Sequence, residues 1–531
     1  MLKRQLPLEE PLNEFNDKIS KKVATNTNTI AHDNLGNRRK CPYLDTINRN
    51  LLDFDQLKVC SVTMSNINVY ACLVCGKFYV GKSNTTPAYT HSLQQGHFVF
   101  MNLTDSRIFC LPDSYEIIDQ SLDELKRSFL PSHSSKEIED LNQNTLLARD
   151  VHGVSYLPGF IGLNNLKHTD FINVTLHALS HITPLRNFFL DPSNYSLCSN
   201  DICQSFGVIV RKLWSRNNLK SFISPIEFVQ AVSIHTKKRF NTGKCSEVID
   251  FFVWLINELN KGLLSAKDIQ YNKVIQNSLQ GKIEIVTLHK AADIGEKKLK
   301  NIVVVDDEWV EERQILPYNF LTISLPPAPL FGNANASNVT TGIGTNTNVS
   351  QITQIPLFEL LKKYDGVTWT DHISNDGKFT RKQYHLKSLP KYLILHIARF
   401  SKTNFGSKKE KNSTLVSFPV KNLELKEIIP SISTSDSTKY DLISNICHDT
   451  AGLQGLEVSS KLYEVNKNVT TSSTIVETLN NGEIDFGSYR IHTKNIANGQ
   501  WYEIQDLIVT ETMPQIVALS ETYMLIYERK N

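Results

Sequence analysis

The hydrophobic positions change period along the chain, from helical spacing to alternating and continuous strand patterns. Apolar residues at offsets 0, 3, 7, 8 and 11 from Phe171 predict an amphipathic helix that begins near Asp170. A second helix is predicted where Phe251, Phe252, Leu255 and Leu259 recur. Four later segments are typical of strands: 301–305, 392–397, 501–504 and 523–527. Helices followed by strands predict an α+β fold.

Changes in composition divide the chain into segments. Residues 1–36 are polar and predict a disordered tail, whereas residues 37–120 contain short strand patterns with many cysteines and histidines. Loosely helical spacing over 121–150 predicts a helical linker, and residues 151–531 form the large α+β domain. Within that domain, the Asn/Thr/Gly-rich stretch 331–350 predicts a disordered surface loop.

Composition and charge exclude several classes of protein. Hydrophobic residues make up 40% of the 531 residues and charged residues 21%, which excludes a largely disordered or collagen-like chain. The net charge is 57 − 54 = +3, too small for nucleic-acid binding through bulk charge. The sequence contains no apolar run of about 18 residues, so no membrane span is predicted. Nine cysteines without a secretory signal indicate an intracellular protein whose thiols bind metal before they form disulfides.

Four metal-binding residue types recur at close spacing in the first domain. Cys72 and Cys75 form a Cys-x-x-Cys pair, His91 follows after fifteen residues and His97 after five more. Two thiolates and two imidazoles satisfy tetrahedral Zn²⁺ and leave no open position, which predicts a structural zinc. The roles of three further cysteines stay open between buried thiols and a second metal site: Cys41, Cys60 and Cys110.

The run YACLVCGKFY at residues 70–79, with His91 and His97, resembles the zinc finger of ubiquitin-specific proteases. In family members that capture the free ubiquitin C-terminus, an arginine usually follows the Cys-Gly step. Lys77 stands at that position here. Because an ammonium lacks the planar fork that grips a carboxylate, the resemblance implies the fold of this finger but not binding of the ubiquitin tail.

The large domain resembles the peptidase domain of the same family, which is a papain-like cysteine peptidase fold. Residues 162–173, GLNNLKHTDFIN, align with the family's cysteine box, and Asp170 occupies the position of the catalytic cysteine. A carboxylate at a helix N-terminus is stabilised there and is a weak nucleophile. Asn165 matches the asparagine that stabilises the oxyanion in the active enzymes, but a donor without a nucleophile gives no acyl transfer.

Two later motifs fix the alignment. Residues 389–400, LPKYLILHIARF, resemble a conserved strand of the family, and the histidine box is represented by GSY at 487–489 and WYEIQD at 501–506. Ser488 therefore replaces the general base and Gln505 replaces the residue that orients it. His492 does not substitute as the base, because four residues along a strand displace it by about 13 Å.

These substitutions resemble those of the spliceosomal, catalytically inactive branch of the family. The resemblance implies a nuclear pre-mRNA splicing factor that binds proteins of the spliceosomal tri-snRNP, contacts snRNA only indirectly and contacts no membrane. Two alternatives stay open: a deubiquitinase with unconventional catalytic residues, and an inert ubiquitin reader outside splicing. Asp170, Ser488 and Gln505 argue against the first, and Lys77 argues against the second.

Overall fold

The computed structural model describes residues 41–265, 273–290, 302–304, 309–327, 354–373, 379–402, 409–426, 437–449 and 487–530. The predicted tail at 1–36 and the predicted loop at 331–350 lie outside these residues. The chain divides into two compact units, Met1–Asp45 and Thr46–Asn531, and the elements named from here on belong to the second. Helices and strands are mixed throughout this unit, which confirms the predicted α+β class.

Residues 46–122, called the finger here, form a small antiparallel sheet beside one helix. Its five strands pair in the order 2-1-3-4-5, and the helix is Pro87–Gln95. In chain order the strands are Val69–Cys72, Phe78–Val80, Val99–Asn102, Ile108–Cys110 and Tyr115–Glu116. The short helices Asp123–Phe129 and Ser135–Asp140 follow, in the segment predicted to be helical.

Most helices of the large domain, residues 151–530, precede its two large sheets along the chain. The longest described helix there is Val248–Ser265, and the one at the candidate site, called the site helix here, is Asp170–Ser180. The others are Thr183–Leu190, Asp201–Leu213, Ile226–His235, Val274–Leu279, Leu357–Leu361 and Pro514–Ala518. Every residue of the site helix is buried, and Phe171 packs edge-on against Phe251 with ring centroids 5.5 Å apart. The predicted helical stripe is therefore one side of a helix that is surrounded by the core.

The largest sheet holds three of the four predicted strands, those at 392–397, 501–504 and 523–527, whereas the strand predicted at 301–305 lies in the second sheet. Its strands lie in this order across the sheet: Leu321–Ser324, Tyr392–Ala398, Thr522–Arg529, Lys439–Asp449, Ser488–Lys494, Trp501–Gln505 and Ile508–Thr512, with Leu423–Glu424 paired beside Lys439–Asp449. All pairs are antiparallel except the first, which is parallel. Ser488–Lys494, called the site strand here, lies against the site helix.

The large domain contains a second sheet of five strands. Across this sheet the strands are Ile302–Val304, Trp309–Tyr318, Gly281–Lys290, Phe379–Ser388 and Asp365–Ile373. Small two-stranded pairs complete the described fold: Ala148–Arg149 with Ser155–Tyr156, Gly162–Leu163 with Phe222–Ile223, Gln354–Pro356 with Leu415–Ser417, and Phe400–Lys402 with Lys409–Lys411.

Charged pairs join the finger to the large domain. The Lys212 Nζ lies 2.5 Å from Asp55 Oδ1, and the other oxygen of Asp55 accepts the backbone N–H of Ser224 at 2.9 Å. Lys220 Nζ lies 2.6 Å from Asp53 Oδ2. The side chains of Lys212 and Asp55 are only 10% and 15% exposed, so this pair is screened by water far less than a surface ion pair.

Candidate functional site

The four predicted metal ligands converge in the finger. The donor atoms of Cys72, Cys75, His91 and His97 all lie within 4.8 Å of one another. Cys72 Sγ lies 3.6 Å from His97 Nδ1, Cys75 Sγ lies 3.4 Å from His91 Nε2, and the two histidine nitrogens are 3.0 Å apart. Among the residues that the structure describes, this is the one cluster of at least three such side chains placed to hold a metal ion.

Local backbone geometry brings these ligands together. Cys72 ends its strand, and the turn that follows carries Gly76 at φ +75°, a conformation in which a β-carbon would lie 2.2 Å from the Leu51 carbonyl oxygen. His91 lies on the helix Pro87–Gln95, which ends at Gly96 in the left-handed conformation and so turns the chain directly into His97.

The donor set fits a tetrahedral zinc ion. Bond lengths of about 2.3 Å to sulfur and 2.0 to 2.1 Å to nitrogen place neighbouring sulfur and nitrogen ligands about 3.6 Å apart and two nitrogens about 3.3 Å apart. The observed separations of 3.6, 3.4 and 3.0 Å match these values closely. The hydrogen bond between Cys72 and Cys75 lowers the pKa of Cys75 and raises that of Cys72, so the pair holds one proton that metal binding must release. Burial lowers the pKa of His91, which favours the neutral imidazole that binds metal.

The remaining cysteines of the finger do not join this cluster. Cys60 is buried and its sulfur accepts the backbone N–H groups of Val62 and Thr63, each at 3.4 Å, while Cys110 is buried in its strand. Lys77, which stands where family members carry an arginine, is exposed.

The three residues that the sequence aligns with the family's triad, Asp170, Ser488 and Gln505, lie near the start of the site helix. Asp170 is the first residue of that helix, and its Oδ2 accepts the backbone N–H of Tyr489 on the site strand at 2.8 Å. Its exposure is only 9%, and burial raises the pKa of Asp170, with the nearby charge of Asp506 acting in the same direction. This carboxylate therefore joins the site helix to the site strand.

Ser488 and Gln505 contact each other directly. Gln505 Nε2 donates to Ser488 Oγ at 3.0 Å, across the adjacent strands that carry them. Neither of these two side chains ionises near neutral pH. The arrangement can hold the strands in register, but it cannot remove a proton from a nucleophile.

The retained asparagine is fully engaged by its neighbours. Asn165 Nδ2 donates to Asp506 Oδ2 at 3.0 Å, while its Oδ1 accepts the backbone N–H of Thr169 at 2.9 Å. Asn173 Nδ2 donates to the other oxygen of Asp506 at 3.1 Å. Sequence reasoning gave Asp506 no role, although it is the final acid of the WYEIQD box; in the structure it is the acceptor that holds both asparagines.

Two other titratable groups, His492 as a base and Cys245 as a nucleophile, would have to act in an unconventional enzyme. His492 is fully buried on the site strand, where its Nε2 lies 3.0 Å from Glu503 Oε2 and its Nδ1 lies 3.6 Å from Cys447 Sγ. Among the described residues, the polar partners of its ring are Glu503, Cys447 and Asn445. Cys245 lies within range of the charge of Asp170, but burial and that charge raise the pKa of its thiol. A raised pKa disfavours the thiolate that a cysteine nucleophile requires.

Comparisons with known proteins agree with this geometry. Residues 161–527 match the family described as "Ubiquitin carboxyl-terminal hydrolase", and residues 60–122 match "Zn-finger in ubiquitin-hydrolases and other protein". None of the described helices is long and apolar enough to cross a membrane.

Similar proteins cover nearly the whole chain. The mouse protein named "Ubiquitin carboxyl-terminal hydrolase 39" is 37% identical over 93% of this chain and 80% of its own length. The Schizosaccharomyces pombe protein named "Probable mRNA-splicing protein ubp10" is 32% identical over 100% of this chain and 95% of its own length. A solved structure titled "Crystal structure of an essential yeast splicing factor" superimposes with a TM-score of 0.67 at 24% identity, over 92% of this chain and 100% of that one. This chain therefore belongs to the ubiquitin carboxyl-terminal hydrolase family.

Proposed function

We propose that this chain is a non-catalytic pre-mRNA splicing factor. It acts in the nucleus as a scaffold that binds proteins of the spliceosomal tri-snRNP, and snRNA is held through those proteins. The single observation on which we base the loss of catalysis is the hydrogen bonding around Asp170. The carboxylate that stands for the nucleophile accepts the Tyr489 N–H, and the neighbouring pair is Ser488 with Gln505.

The chemistry of these groups supports a pseudoenzyme. Hydrolysis of an isopeptide in this family requires a thiolate, a base that takes its proton and a group that orients the base. Asp170 is buried and hydrogen-bonded, and the donor of Asn165 is directed to Asp506. The polar side chains of the former site are therefore taken up by local hydrogen bonds, and the bond from Tyr489 to Asp170 stabilises the packing of the site helix on the site strand.

Relatives support the role in splicing. The Schizosaccharomyces pombe relative carries the name of an mRNA-splicing protein and aligns with this chain over its full length. A protein that keeps a hydrolase fold without its reacting groups retains a large folded surface, and that surface can serve protein binding. The net charge of +3 favours proteins over RNA as the main contact.

We also propose one structural zinc ion on Cys72, Cys75, His91 and His97. Zinc supplies folding energy to a small domain such as this finger. These four residues bind and orient the ion, and Tyr79 stacks on the His91 ring at a centroid distance of 4.2 Å, which holds that ligand in place.

Two assays on the purified full chain test the proposal. The first incubates it with a fluorogenic ubiquitin substrate and with di-ubiquitin, and we expect no turnover above a heat-denatured control. Turnover by the native protein would refute the assignment as a pseudoenzyme.

The second assay purifies a tagged full chain from nuclear extract, with and without ribonuclease. We expect tri-snRNP proteins to co-purify in both samples and snRNAs to co-purify only without ribonuclease. Recovery of ubiquitin conjugates without splicing proteins would favour the ubiquitin reader, and loss of all partners after ribonuclease would show that RNA is the direct contact.

A further inference from the structure

Exposed basic side chains surround the degenerate site. Lys167 and His168 lie just before the site helix, and Lys237, Lys238 and Lys244 lie on the loop that follows the helix Ile226–His235. All five are exposed. We call this set of five residues the basic rim.

The two parts of the basic rim are held against each other and against the site. The backbone N–H of Gly243 donates to the Lys167 carbonyl oxygen at 2.7 Å, and the Lys167 side chain passes over Gly243, where a β-carbon would lie 3.6 Å from its Cδ and Cε. The loop is anchored beside the site helix by Phe240, whose ring centroid lies 6.0 Å from that of Phe171. The rim is thus attached to the first turn of the site helix.

The backbone at Lys167 and His168 is strained. These consecutive residues have φ values of +75° and +55°, in the left-handed region that side-chain-bearing residues rarely adopt. Such conformations persist where the surrounding structure enforces them, and they concentrate at functional sites. Here the strain presents two basic side chains at the entrance to the former catalytic site.

The positive charge of the rim is not neutralised locally. Residues 237–246 contain four cations and no carboxylate, in a chain whose whole net charge is +3. Over the described ranges, Lys167, Lys238 and Lys244 have no carboxylate within ion-pair distance, whereas Arg239 lies 3.7 Å from Asp250. Asp250, which pairs with Arg239, lies on the helix Val248–Ser265, and Glu247 accepts the Tyr523 hydroxyl at 3.2 Å. The carboxylate of Asp170 is buried and accepts the Tyr489 N–H.

We propose that the basic rim binds an acidic segment of a protein partner at the entrance of the former catalytic site. An acidic peptide is favoured over single-stranded RNA because RNA binding of this kind combines basic groups with exposed aromatic rings. The aromatic residue of the loop, Phe240, is 1% exposed and points into the core. This inference depends on the proposed scaffold function in one respect, which is that the partner is a protein.

Fluorescence anisotropy tests this with the full chain and three labelled probes. The probes are a 12-residue Glu/Ser peptide, the same peptide with Gln for every Glu, and a 12-nucleotide oligouridine. The rim variant carries Lys167→Gln, Lys238→Gln and Lys244→Gln. The matched control removes three exposed lysines elsewhere in the large domain: Lys282→Gln, Lys421→Gln and Lys426→Gln.

We expect the glutamate peptide to bind the wild type, to lose affinity as salt rises, and to bind the rim variant about tenfold more weakly. The control variant should bind as the wild type does. Equal binding of the glutamine peptide, equal weakening in both variants, or tighter binding of oligouridine would each overturn the proposal. The purification from nuclear extract does not use these peptides. If the peptides do not bind as expected while splicing proteins are still recovered, only the proposal for the basic rim is refuted.

Discussion

Replacing Asp170 separates its hydrogen-bonding role from its charge. Its Oδ2 accepts the Tyr489 N–H at 2.8 Å, and the side chain is 9% exposed. Asparagine keeps an oxygen acceptor at this position and removes a buried charge, whereas alanine leaves the Tyr489 N–H without its acceptor. An unsatisfied buried donor costs about 1–3 kcal/mol. We expect Asp170→Asn to be at least as stable as the wild type at pH 7, and Asp170→Ala to be less stable than Asp170→Asn by about 1–3 kcal/mol.

The pH dependence gives the same prediction an independent readout. Because burial raises the pKa of Asp170 above its ordinary value of 3.8, the folded state holds this proton at pH values where the unfolded chain has lost it. The contribution of Asp170 to stability therefore falls as the pH rises from about 3.8 through the raised pKa. The advantage of Asp170→Asn over the wild type should be largest at neutral pH and should shrink as the pH is lowered toward 3.8.

Urea unfolding followed by tryptophan fluorescence measures this in the full chain. All five tryptophans of the sequence lie in the large domain, so their signal reports on the domain that contains the site. Equal stability of the alanine and asparagine variants would show that the bond to Tyr489 contributes nothing. A loss of more than about 1 kcal/mol in Asp170→Asn at pH 7 would show that the charge itself is needed, against the structural role argued above.

Three further predictions address other parts of the chain. Cys72→Ser should abolish binding of one zinc ion per chain and remove hydrogen-exchange protection from the finger alone, as mass spectrometry can measure; full retention of zinc would contradict the ligand assignment. Burial disfavours a charged His492, but its contacts with Cys447 and Glu503 outweigh burial and raise the pKa of His492 to about 9. Its stabilising contribution, at most about 3 kcal/mol, should be complete below about pH 6.5 and lost as the pH rises through about 9. In urea unfolding, the His492→Gln variant should not lose stability over this pH range. If its stability followed the same pH profile as that of the wild type, the assignment of the effect to His492 would be refuted. Asp55→Ala should lower the free energy of unfolding by about 3–5 kcal/mol, because it leaves Lys212 buried without its partner. Adding Lys212→Met should recover most of that loss. Additive effects of the two substitutions would contradict a direct ion pair.

The sequence was sufficient for the fold class, the principal elements and the family, because these depend on hydrophobic period and on motifs. The helix predicted to begin near Asp170 begins there and ends at Ser180, before the last apolar position of its stripe. The strand predicted at 523–527 is the core of Thr522–Arg529. The roles assigned to Ser488, Gln505 and the four metal ligands stay predictions, although the structure brings each set together.

What the sequence could not predict depends on contacts between distant segments. Nothing in the spacing of Asn165 shows that its amide donates to Asp506, 341 positions away. The left-handed backbone at Lys167 and His168, beside the hydrogen bond from Gly243, is likewise not what local propensity predicts. The contact between the buried His492 and Glu503 could not be predicted, because a strand pattern does not tell which residues of the neighbouring strands each side chain contacts.

The most direct test of the central claim is a splicing measurement in cells where this chain is depleted and replaced. The ratio of unspliced to spliced transcripts is measured by RNA sequencing after rescue with the wild type or with Ser488→Ala, and total ubiquitin conjugates are measured in the same cells. A non-catalytic splicing factor predicts that depletion raises the unspliced fraction, that both proteins restore it, and that conjugates stay constant. Failure of a folded, equally abundant Ser488→Ala protein to restore splicing, together with a rise in ubiquitin conjugates, would contradict the account.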